Sequence, residues 1–454
     1  WYEVTGVQTC ALPISLNDCG IVALDYSGEN GIATSIGHAP VSALADPEKG
    51  SRLSVAEALT NIVMAPLSHD IKGISLSANW MWPAKNDGEN KRLYSAVEAV
   101  SEFTCGLGIN IPTGKDSLSM TQKYPDGEKV YSPGTVIISA VAQTDNVSGV
   151  ADPTAKVKDG SKLLYISFSD GNMALGGSSL AQVLNKVGND IPDAAEPEQF
   201  ALTFNTLQYL LKENKILACH DVSAGGLITT LLEMNFANAG TGMSISIDGF
   251  KEKDPIKILF SEAPAVVIQV EELEDASKIL DNNNIDYIIL GEVNKNNEIA
   301  ITHNEDLYTF DIDGLREVWF ETSYLLDAKQ TNHGLAKERF ENLGKTPLEY
   351  IFPENFTGKT ADLGITQNRT TPGTAKAAII REKGVNGDRE MAYALHLAGF
   401  DVKDIHMTDL ITGREDLSDI SMIVYVGGFS NSDVLGSAKG WAGAFLYNEK
   451  AKTA

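Results

Sequence analysis

The chain has 454 residues, of which 43% are hydrophobic, and a formal net charge of −25. This length corresponds to about three domains of ordinary size, with enough apolar residues to fill their cores. Because no apolar run reaches about 18 residues and no basic cluster interrupts the acidic composition, we expect neither a membrane span nor a nucleic-acid partner. A small anionic ligand is compatible with an acidic protein, since backbone N–H groups and metal ions can hold phosphate.

The first 15 residues differ from the rest of the chain. They lack the charged n-region of a secretory signal and resemble translated sequencing-adapter read-through. We therefore predict that residues 1–15 are a non-native leader that is dispensable for stability, the alternative being a genuine edge strand. The cysteines lack C-x-x-C spacing and are interpreted as reduced thiols of a cytoplasmic protein: Cys10, Cys19, Cys105 and Cys219.

From residue 16 onward, short apolar runs alternate with helical patterns, which is typical of α/β and α+β architecture. In a first predicted domain, residues 16–155, the patterns predict strands and helices at Cys19–Tyr26 (strand), Ser54–Ala65 (helix), Gly73–Ala78 (strand), Asn90–Leu107 (helix) and Thr135–Thr144 (strand). The polar stretch 145–160 follows the last strand of this predicted domain.

A second predicted domain, residues 156–330, is expected to form a compact mixed sheet with helices. Its predicted elements are Lys162–Phe168 (strand), Ser178–Val187 (helix), Phe200–Asn214 (helix), Leu217–Asp221 (strand), Leu227–Ala237 (helix), Ala265–Val270 (strand) and Tyr287–Val293 (strand). Residues 331–375 are rich in polar residues, Pro, Gly and Thr, and are predicted to be a linker.

A third predicted domain, residues 376–454, follows the linker. It begins with strand Ala377–Arg381, helix Arg389–Ala398 and strand Met422–Val426. This βαβ order predicts a parallel sheet.

Glu57 and Asn61 lie four residues apart in a predicted helix and therefore share one of its faces. A carboxylate and an amide oxygen one turn apart can both ligate a hard cation such as Mg²⁺. The alternative is a solvated surface pair, since the apolar face of this helix indicates only that it packs.

Two further polar segments adjoin predicted strands. Asn17 and Asp18 precede the first strand, and residues 220–226 join the end of a strand to a helix. Strand ends that lead into glycine turns are where α/β proteins hold phosphates and metals. Alternatively, Asp221 and Ser223 only cap the following helix. His220 is interpreted as a neighbour that orients this loop rather than as a general base.

Two more segments are candidate phosphate or substrate loops. The first combines a cation with hydroxyls but lacks the first glycine of the Walker pattern, which excludes P-loop chemistry. The second presents N–H groups and a helix N-terminus to an anion, with a plain turn as the alternative. Their residues are Gly114, Lys115, Asp116 and Ser117, and Gly176, Gly177 and Ser178.

Six segments, taken together and in order, are similar to the large form of phosphoribosylformylglycinamidine synthase: 56–61, 76–80, 112–117, 175–178, 220–227 and 427–430. The resemblance covers residues 16–454. It implies aminoimidazole-ribonucleotide-synthetase-like N- and C-type domains, the second synthetase half of the family, followed by a truncated flavodoxin-like class I glutaminase domain. It also implies a ligase of purine synthesis that converts formylglycinamide ribonucleotide, glutamine and ATP to formylglycinamidine ribonucleotide, in a monomeric parent with internal pseudo-symmetry.

The resemblance implies roles for single residues. The Mg²⁺ ligands would be Asp18, Glu57, Asn61 and Asp221, the contacts to ATP or ADP would be Asn17 and Ser223, and the oxyanion-hole loop would be Gly428 and Phe429. Three positions depart from the family pattern. Ala224 stands in place of an Asp, and Asn431 and Ser432 replace a Tyr-Gly pair. Ser432 is therefore expected to strain a turn that needs a positive φ.

No cysteine follows Cys219, so the nucleophile of a glutaminase is missing from residues 376–454. We therefore expect an internal slice of a larger amidotransferase, inactive alone as a glutaminase. Two alternatives are an isolated nucleotide-binding scaffold module and a stand-alone relative such as a selenophosphate synthetase. The glutaminase-like start argues against the stand-alone relative.

Overall fold

A computed structural model describes residues 16–24, 29–237, 240–343, 351–355, 357, 360–366, 369–436 and 438–454. The predicted leader, residues 1–15, lies outside the described residues. The chain separates into two compact units, residues 1–347 and residues 348–454. Within the described residues, no helix is both long enough and apolar enough to cross a membrane.

The N-terminal part of the first unit is a five-stranded sheet in the order β1-β2-β7-β3-β4, with helices packed against it. Its elements are β1 Cys19–Ala23, β2 Gly31–His38, α1 Pro40–Ala45, α2 Pro47–Ile62, β3 Ser75–Met81, α3 Glu89–Leu107, β4 Asn110–Ser117 and β7 Thr135–Thr144, with a hairpin of β5 Thr121–Lys123 and β6 Lys129–Tyr131. Helix α2 starts before the predicted Ser54, because Asp46 caps it by accepting the N–H groups of Glu48 and Lys49 and Pro47 takes the first turn.

The predicted loop conformation at Gly114–Ser117 is wrong, because these residues belong to strand β4, which pairs in parallel with β3. Their role in binding phosphate or substrate stays a prediction. Gly114 is needed for this pairing, since a Cβ there would lie 2.2 Å from the carbonyl oxygen of Ala78. The Lys115 ammonium donates to the backbone oxygen of Asp116 and to the Ser117 hydroxyl. An exposed edge strand tolerates such polar residues, which is why the sequence suggested a loop.

The second part of the first unit is a seven-stranded sheet in the order β14-β13-β10-β12-β8-β11-β9. The predicted mixed sheet is confirmed, with three more strands than the four predicted from the sequence. All its pairs are antiparallel except β10 with β13. Its elements are β8 Lys162–Ser167, α4 Ser179–Val183, α5 Pro197–Lys212, β9 Ile216–Val222, α6 Gly226–Phe236, β10 Gly242–Ser246, α7 Pro255–Phe260, β11 Ala265–Val270, α8 Leu273–Asn282, β12 Tyr287–Asn294, β13 Glu298–His303, β14 Asp306–Asp311, α9 Ile312–Gln330 and α10 His333–Glu341.

Both parts of the first unit share one apolar core. Leu59 of α2 and Phe103 of α3 belong to the same buried cluster as Phe200 of α5. The rings of Phe103 and Phe200 meet edge to face with centroids 5.6 Å apart. Because the core is continuous, side chains from the two sheets are held in fixed relation to each other. Helix α10 lies in the stretch that the sequence predicted as a linker.

The second unit is a three-stranded parallel sheet in the order β16-β15-β17, which confirms the predicted βαβ arrangement. Its elements are β15 Ala375–Arg381, α11 Asp388–Leu397, β16 Phe400–His406, α12 Met407–Thr412, β17 Met422–Tyr425, α13 Lys439–Tyr447 and α14 Glu449–Thr453. Short 3₁₀ turns occur in the two units at Asp70–Gly73, Val147–Gly149, Thr360–Leu363 and Ser430–Asp433.

Candidate metal and nucleotide site

Three side chains from the two parts of the first unit meet where β9 ends. Asp18, just before β1, and His220 and Asp221 of β9 bring their ligand atoms within 4.8 Å of one another. His220 Nδ1 lies 3.3 Å from Asp18 Oδ2 and 3.2 Å from Asp221 Oδ1. The backbone N–H of Asp221 also donates to Asp18 Oδ2 at 3.1 Å. The predicted ligands Asp18 and Asp221 are therefore adjacent, whereas Asn17 is exposed.

The electrostatics of this cluster follow from its burial. Removal from water raises the pKa of Asp18 to about 8, against the opposing attraction of His220. For His220, burial alone would lower the pKa, but attraction by Asp18 and contacts with Asp221 and Glu233 together raise it well above its ordinary value. The buried oxygen Oδ2 of Asp221 has no hydrogen-bond partner in the described structure. The cluster therefore holds two carboxylates against one imidazole and leaves one oxygen acceptor unsatisfied.

Helix α2 presents Glu57 to the same region. Its Oε2 accepts the backbone N–H of His38 at 2.6 Å. Burial raises the pKa of Glu57 to about 8, reinforced by the charges of Asp221 and Asp18. Glu57 is not one of the three clustered residues. Asn61, one turn further along α2, uses its amide nitrogen to donate to the carbonyl of Ile36 at 2.9 Å, so its orientation is fixed by β2.

The loop between β9 and α6 does not cap the helix with side chains, so the capping alternative for Asp221 and Ser223 is wrong. The N-cap residue is Gly225, with no side-chain hydrogen bond at the cap. Gly225 and Gly226 have φ of 89° and 72°, values that favour glycine. The carbonyl of Asp221 accepts the Thr230 hydroxyl at 2.8 Å, which ties β9 to the first turn of α6.

A cavity of about 130 Å³ lies beside the cluster, and Glu57, Ser223 and Gly177 all line it. Glu262, which the sequence reasoning missed, lines it too. Its Oε1 accepts the N–H groups of Gly225 and Ser179, each at 2.7 Å. A single Glu before a strand carries no recognisable motif, so its role emerges only from the fold. The described residues that line this cavity include no Lys or Arg.

The glycine-rich segment before α4 uses its donors within the chain. Gly176 N–H donates to the Asp190 carbonyl at 2.9 Å and Gly177 N–H to the Val187 carbonyl at 2.7 Å. Ser178 caps α4 by accepting the N–H of Ala181. Its role as an anion-binding loop stays a prediction.

In the second unit, Gly428 forms an isolated bridge with Val385. Its φ is 129°, and a Cβ there would lie 2.7 Å from the carbonyl oxygen of Gly384. Ser432 has a φ of 56°, as predicted, and lies between Asn431 and Asp433, which also have positive φ. Phe429 is exposed. The oxyanion-hole role of Gly428 and Phe429 stays a prediction.

The residues of the first-unit site fit a hard divalent cation. Carboxylate oxygens are donors that Mg²⁺ prefers, and Asp18 and Asp221 lie together, with the Glu57 carboxylate close enough for their charges to raise its pKa. The role of Asn61 as a ligand stays a prediction. The unsatisfied Asp221 Oδ2 is an oxygen that a bound cation would pair.

Three family models match the chain in succession. They are described as the FGAR-AT PurM_N-like domain over residues 6–143, the AIR synthase related protein C-terminal domain over residues 158–304, and the CobB/CobQ-like glutamine amidotransferase domain over residues 374–454. The first match begins within the segment that the sequence predicted to be a leader.

Similarity to curated and solved proteins agrees with these models. Phosphoribosylformylglycinamidine synthase of Homo sapiens is 38% identical over 98% of this chain and 33% of its own length. The chain thus spans about a third of that relative. T. maritima PurL complexed with FGAR aligns with a TM-score of 0.54 at 16% identity, covering 69% of this chain and 50% of that chain. T. maritima PurL complexed with ATP gives 0.51 at 16%, covering 69% and 49%. At these identities the structural likeness shows the fold alone.

Proposed function

Because the chain is a homologue of phosphoribosylformylglycinamidine synthases across 98% of its own length, we propose that it forms part of an ATP-dependent carbon–nitrogen ligase of purine biosynthesis. The parent reaction would convert formylglycinamide ribonucleotide, glutamine and ATP to formylglycinamidine ribonucleotide. A cytoplasmic, monomeric parent without a nucleic-acid or membrane partner belongs to the same proposal.

Within that enzyme, the first unit would hold a Mg²⁺–nucleotide complex. The observation that carries this proposal is the buried cluster of Asp18, His220 and Asp221 with its unsatisfied carboxylate oxygen. Asp18 and Asp221, together with Glu57 and Asn61, would ligate the cation. Bound Mg²⁺ would neutralise phosphate charge, a task for which the described cavity lining offers no Lys or Arg.

The chain's own residues would position the nucleotide. Ser223 lines the cavity directly after β9 and is the proposed nucleotide contact there, with Asn17 before β1 as the second. His220 would hold Asp18 and Asp221 in place through its Nδ1 atom. Thr230 would fix the end of β9 through its bond to the Asp221 carbonyl.

The scaffold alternative shares this site and differs only in the fate of the nucleotide. In the alternative, ATP or ADP bound here stabilises the fold and is not consumed. The continuous core between the two sheets favours such a role, since a ligand between them would reinforce an interface that is already rigid.

The second unit would contribute the beginning of the glutamine site. Gly428 and Phe429 would supply N–H donors to an oxyanion, in the loop that the Val385–Gly428 bridge holds. The sequence of residues 376–454 holds no cysteine, so we propose that this stretch alone does not hydrolyse glutamine.

Calorimetric titration of the chain with Mg²⁺ and ADP tests the site. We expect Mg²⁺-dependent binding that Asp221→Asn and Glu57→Gln each weaken by tenfold or more, roughly 1.4 kcal/mol or above. Glu305→Gln is the matched control, because Glu305 is an exposed turn residue outside the site. Binding that is independent of Mg²⁺, or equal affinity in all four proteins, would contradict the proposal.

A further inference from the structure

A chain of polar contacts leads from the candidate cation site to the surface of helix α9. On the side of His220 away from Asp18 and Asp221, its Nε2 lies 3.3 Å from Glu233 Oε2. The other oxygen of Glu233 accepts the indole N–H of Trp319 at 3.0 Å. His220 is 5% exposed and Glu233 18% exposed at the side chain, so the inner contact lies largely out of water, whereas Trp319 is partly exposed.

The geometry of the inner contact is incomplete. His220 Nε2 is buried and makes no hydrogen bond of acceptable geometry in the described structure, although Glu233 is close. His220 is attracted on its other side by two carboxylates. The imidazole is therefore held between opposing acidic groups, and its position depends on the balance between them.

The Trp319 end of this series of contacts is held by packing between helices α9 and α6. Arg316, one turn before Trp319 on α9, is buried and donates from Nε to the carbonyl of Phe236 at 2.9 Å. The Trp319 ring also meets the Phe236 ring, with centroids 6.1 Å apart. Helix α9 thus clamps the end of α6, and α6 begins at the site loop. A change in the Glu233 contact would be transmitted to α9 rather than lost in a mobile side chain.

We propose that Glu233 is a positioning residue that couples occupancy of the cation site to helix α9 through Trp319. A cation on Asp18 and Asp221 withdraws their attraction from His220 Nδ1. The imidazole then interacts mainly with Glu233. This changes the hydrogen bond that Glu233 accepts from the Trp319 indole. By linkage, contacts that change when the cation binds must in turn change cation affinity.

This inference rests on the proposed cation site, and Trp319 provides its own reporter. We expect Mg²⁺ and ADP to change the tryptophan emission of the full chain, and Trp319→Phe to remove that change while keeping the ring contact with Phe236. Glu233→Gln should abolish the emission change and weaken calorimetric Mg²⁺–ADP affinity about tenfold, as is typical for groups that support metal ligands. Trp319→Phe should weaken it by about threefold to fivefold, the effect of one net hydrogen bond.

Two controls separate coupling from a structural effect. Phe320→Leu alters a buried residue of the same helix that packs against Trp319, with rings 4.7 Å apart, and should lower stability without changing affinity. Trp441→Phe, in the second unit, should leave the emission change intact. Binding heat without a change in Trp319 emission, or wild-type affinity in Glu233→Gln, overturns the coupling and leaves the cation site standing. Absence of Mg²⁺-dependent binding heat in the unaltered chain removes the cation site and the coupling together.

Discussion

The carboxylate of Glu262 accepts the backbone N–H of Gly225 at 2.7 Å. The same oxygen accepts the N–H of Ser179 at 2.7 Å, so one side chain joins the loop before α6 to the start of α4. Backbone donors at such loops are the ones that bind anions in many α/β proteins. Here an internal carboxylate occupies them, so the phosphate proposed to bind beside Ser223 would be held more favourably through a cation than through these N–H groups.

Removing this carboxylate is expected to destabilise the first unit. Glu262→Ala leaves two N–H donors without their acceptor, and we expect a loss of about 1–3 kcal/mol in the free energy of unfolding. Glu262→Gln keeps an oxygen that can accept both bonds and should lose less than half as much. Denaturant unfolding of both variants, with Glu305→Ala as an exposed control, is the measurement. Equal losses for Ala and Gln would show that the two hydrogen bonds contribute little.

The sequence predicted those elements whose own residues carry the signal. Strands Thr135–Thr144 and Ala265–Val270 were predicted with both ends correct, because each is a mostly apolar run. Strand Gly31–His38 was missed, since it alternates small and polar residues and owes its place to pairing with β1 and β7. Helix α10 was missed because a polar surface helix resembles a linker.

The candidate site divides in the same way. Asp18 and Asp221 could be proposed because each adjoins a strand, and the fold brings them together. Glu233 and Glu262 could not, since they lie on a helix and after a helix with no local pattern. Their roles depend on contacts between residues 37 and 86 positions apart in sequence, from Glu262 to Gly225 and from Glu233 to Trp319.

The raised pKa of Glu57 predicts that stability depends on pH when no divalent cation is present. Burial raises this pKa from 4.5 to about 8, so the folded state binds the proton more tightly than the unfolded state. The contribution to stability is complete below about pH 4.5 and is lost as the pH rises through about 8, by at most about 1.4 kcal/mol per pH unit. Urea unfolding at a series of pH values in EDTA measures the slope.

Glu57→Gln should remove this residue's share of the slope, whereas Glu305→Gln should retain it. Added Mg²⁺ should also reduce the slope, because a bound cation favours the ionised carboxylate. A stability that rises between about pH 5 and about pH 8 in EDTA would show that the sign is wrong.

The loop after β17 is predicted to gain stability from one glycine. Ser432 has a φ of 56°, and its neighbours Asn431 and Asp433 each have a φ of 50°. A left-handed conformation costs a residue with a Cβ about 1 kcal/mol or more, partly offset by the greater freedom of glycine in the unfolded chain. We therefore expect Ser432→Gly to stabilise the second unit by about 0.5 kcal/mol. Ser430→Gly is the control, since Ser430 is buried and is not among the residues with positive φ, and it should destabilise.

Gln208 joins the two parts of the first unit through hydrogen bonds that no apolar residue could replace. Its side chain is fully buried. The amide nitrogen donates to the carbonyls of Val63 and Ala65 at 2.7 and 2.8 Å, and the amide oxygen accepts the N–H of Leu67 at 2.8 Å. These three backbone groups directly follow helix α2, so Gln208 satisfies the polar groups of the chain where that helix ends.

Gln208→Leu keeps a similar volume but leaves one buried N–H and two buried carbonyls unpaired. We expect a loss of about 3 kcal/mol in the free energy of unfolding, since each unsatisfied group costs about 1–3 kcal/mol and the three costs are not additive. Because α2 carries Glu57 and Asn61, Mg²⁺–ADP affinity should fall as well. Gln122→Leu, in the exposed hairpin, should change neither quantity. A loss below about 1 kcal/mol in Gln208→Leu would mean that water enters to satisfy these groups and that the end of α2 does not depend on Gln208.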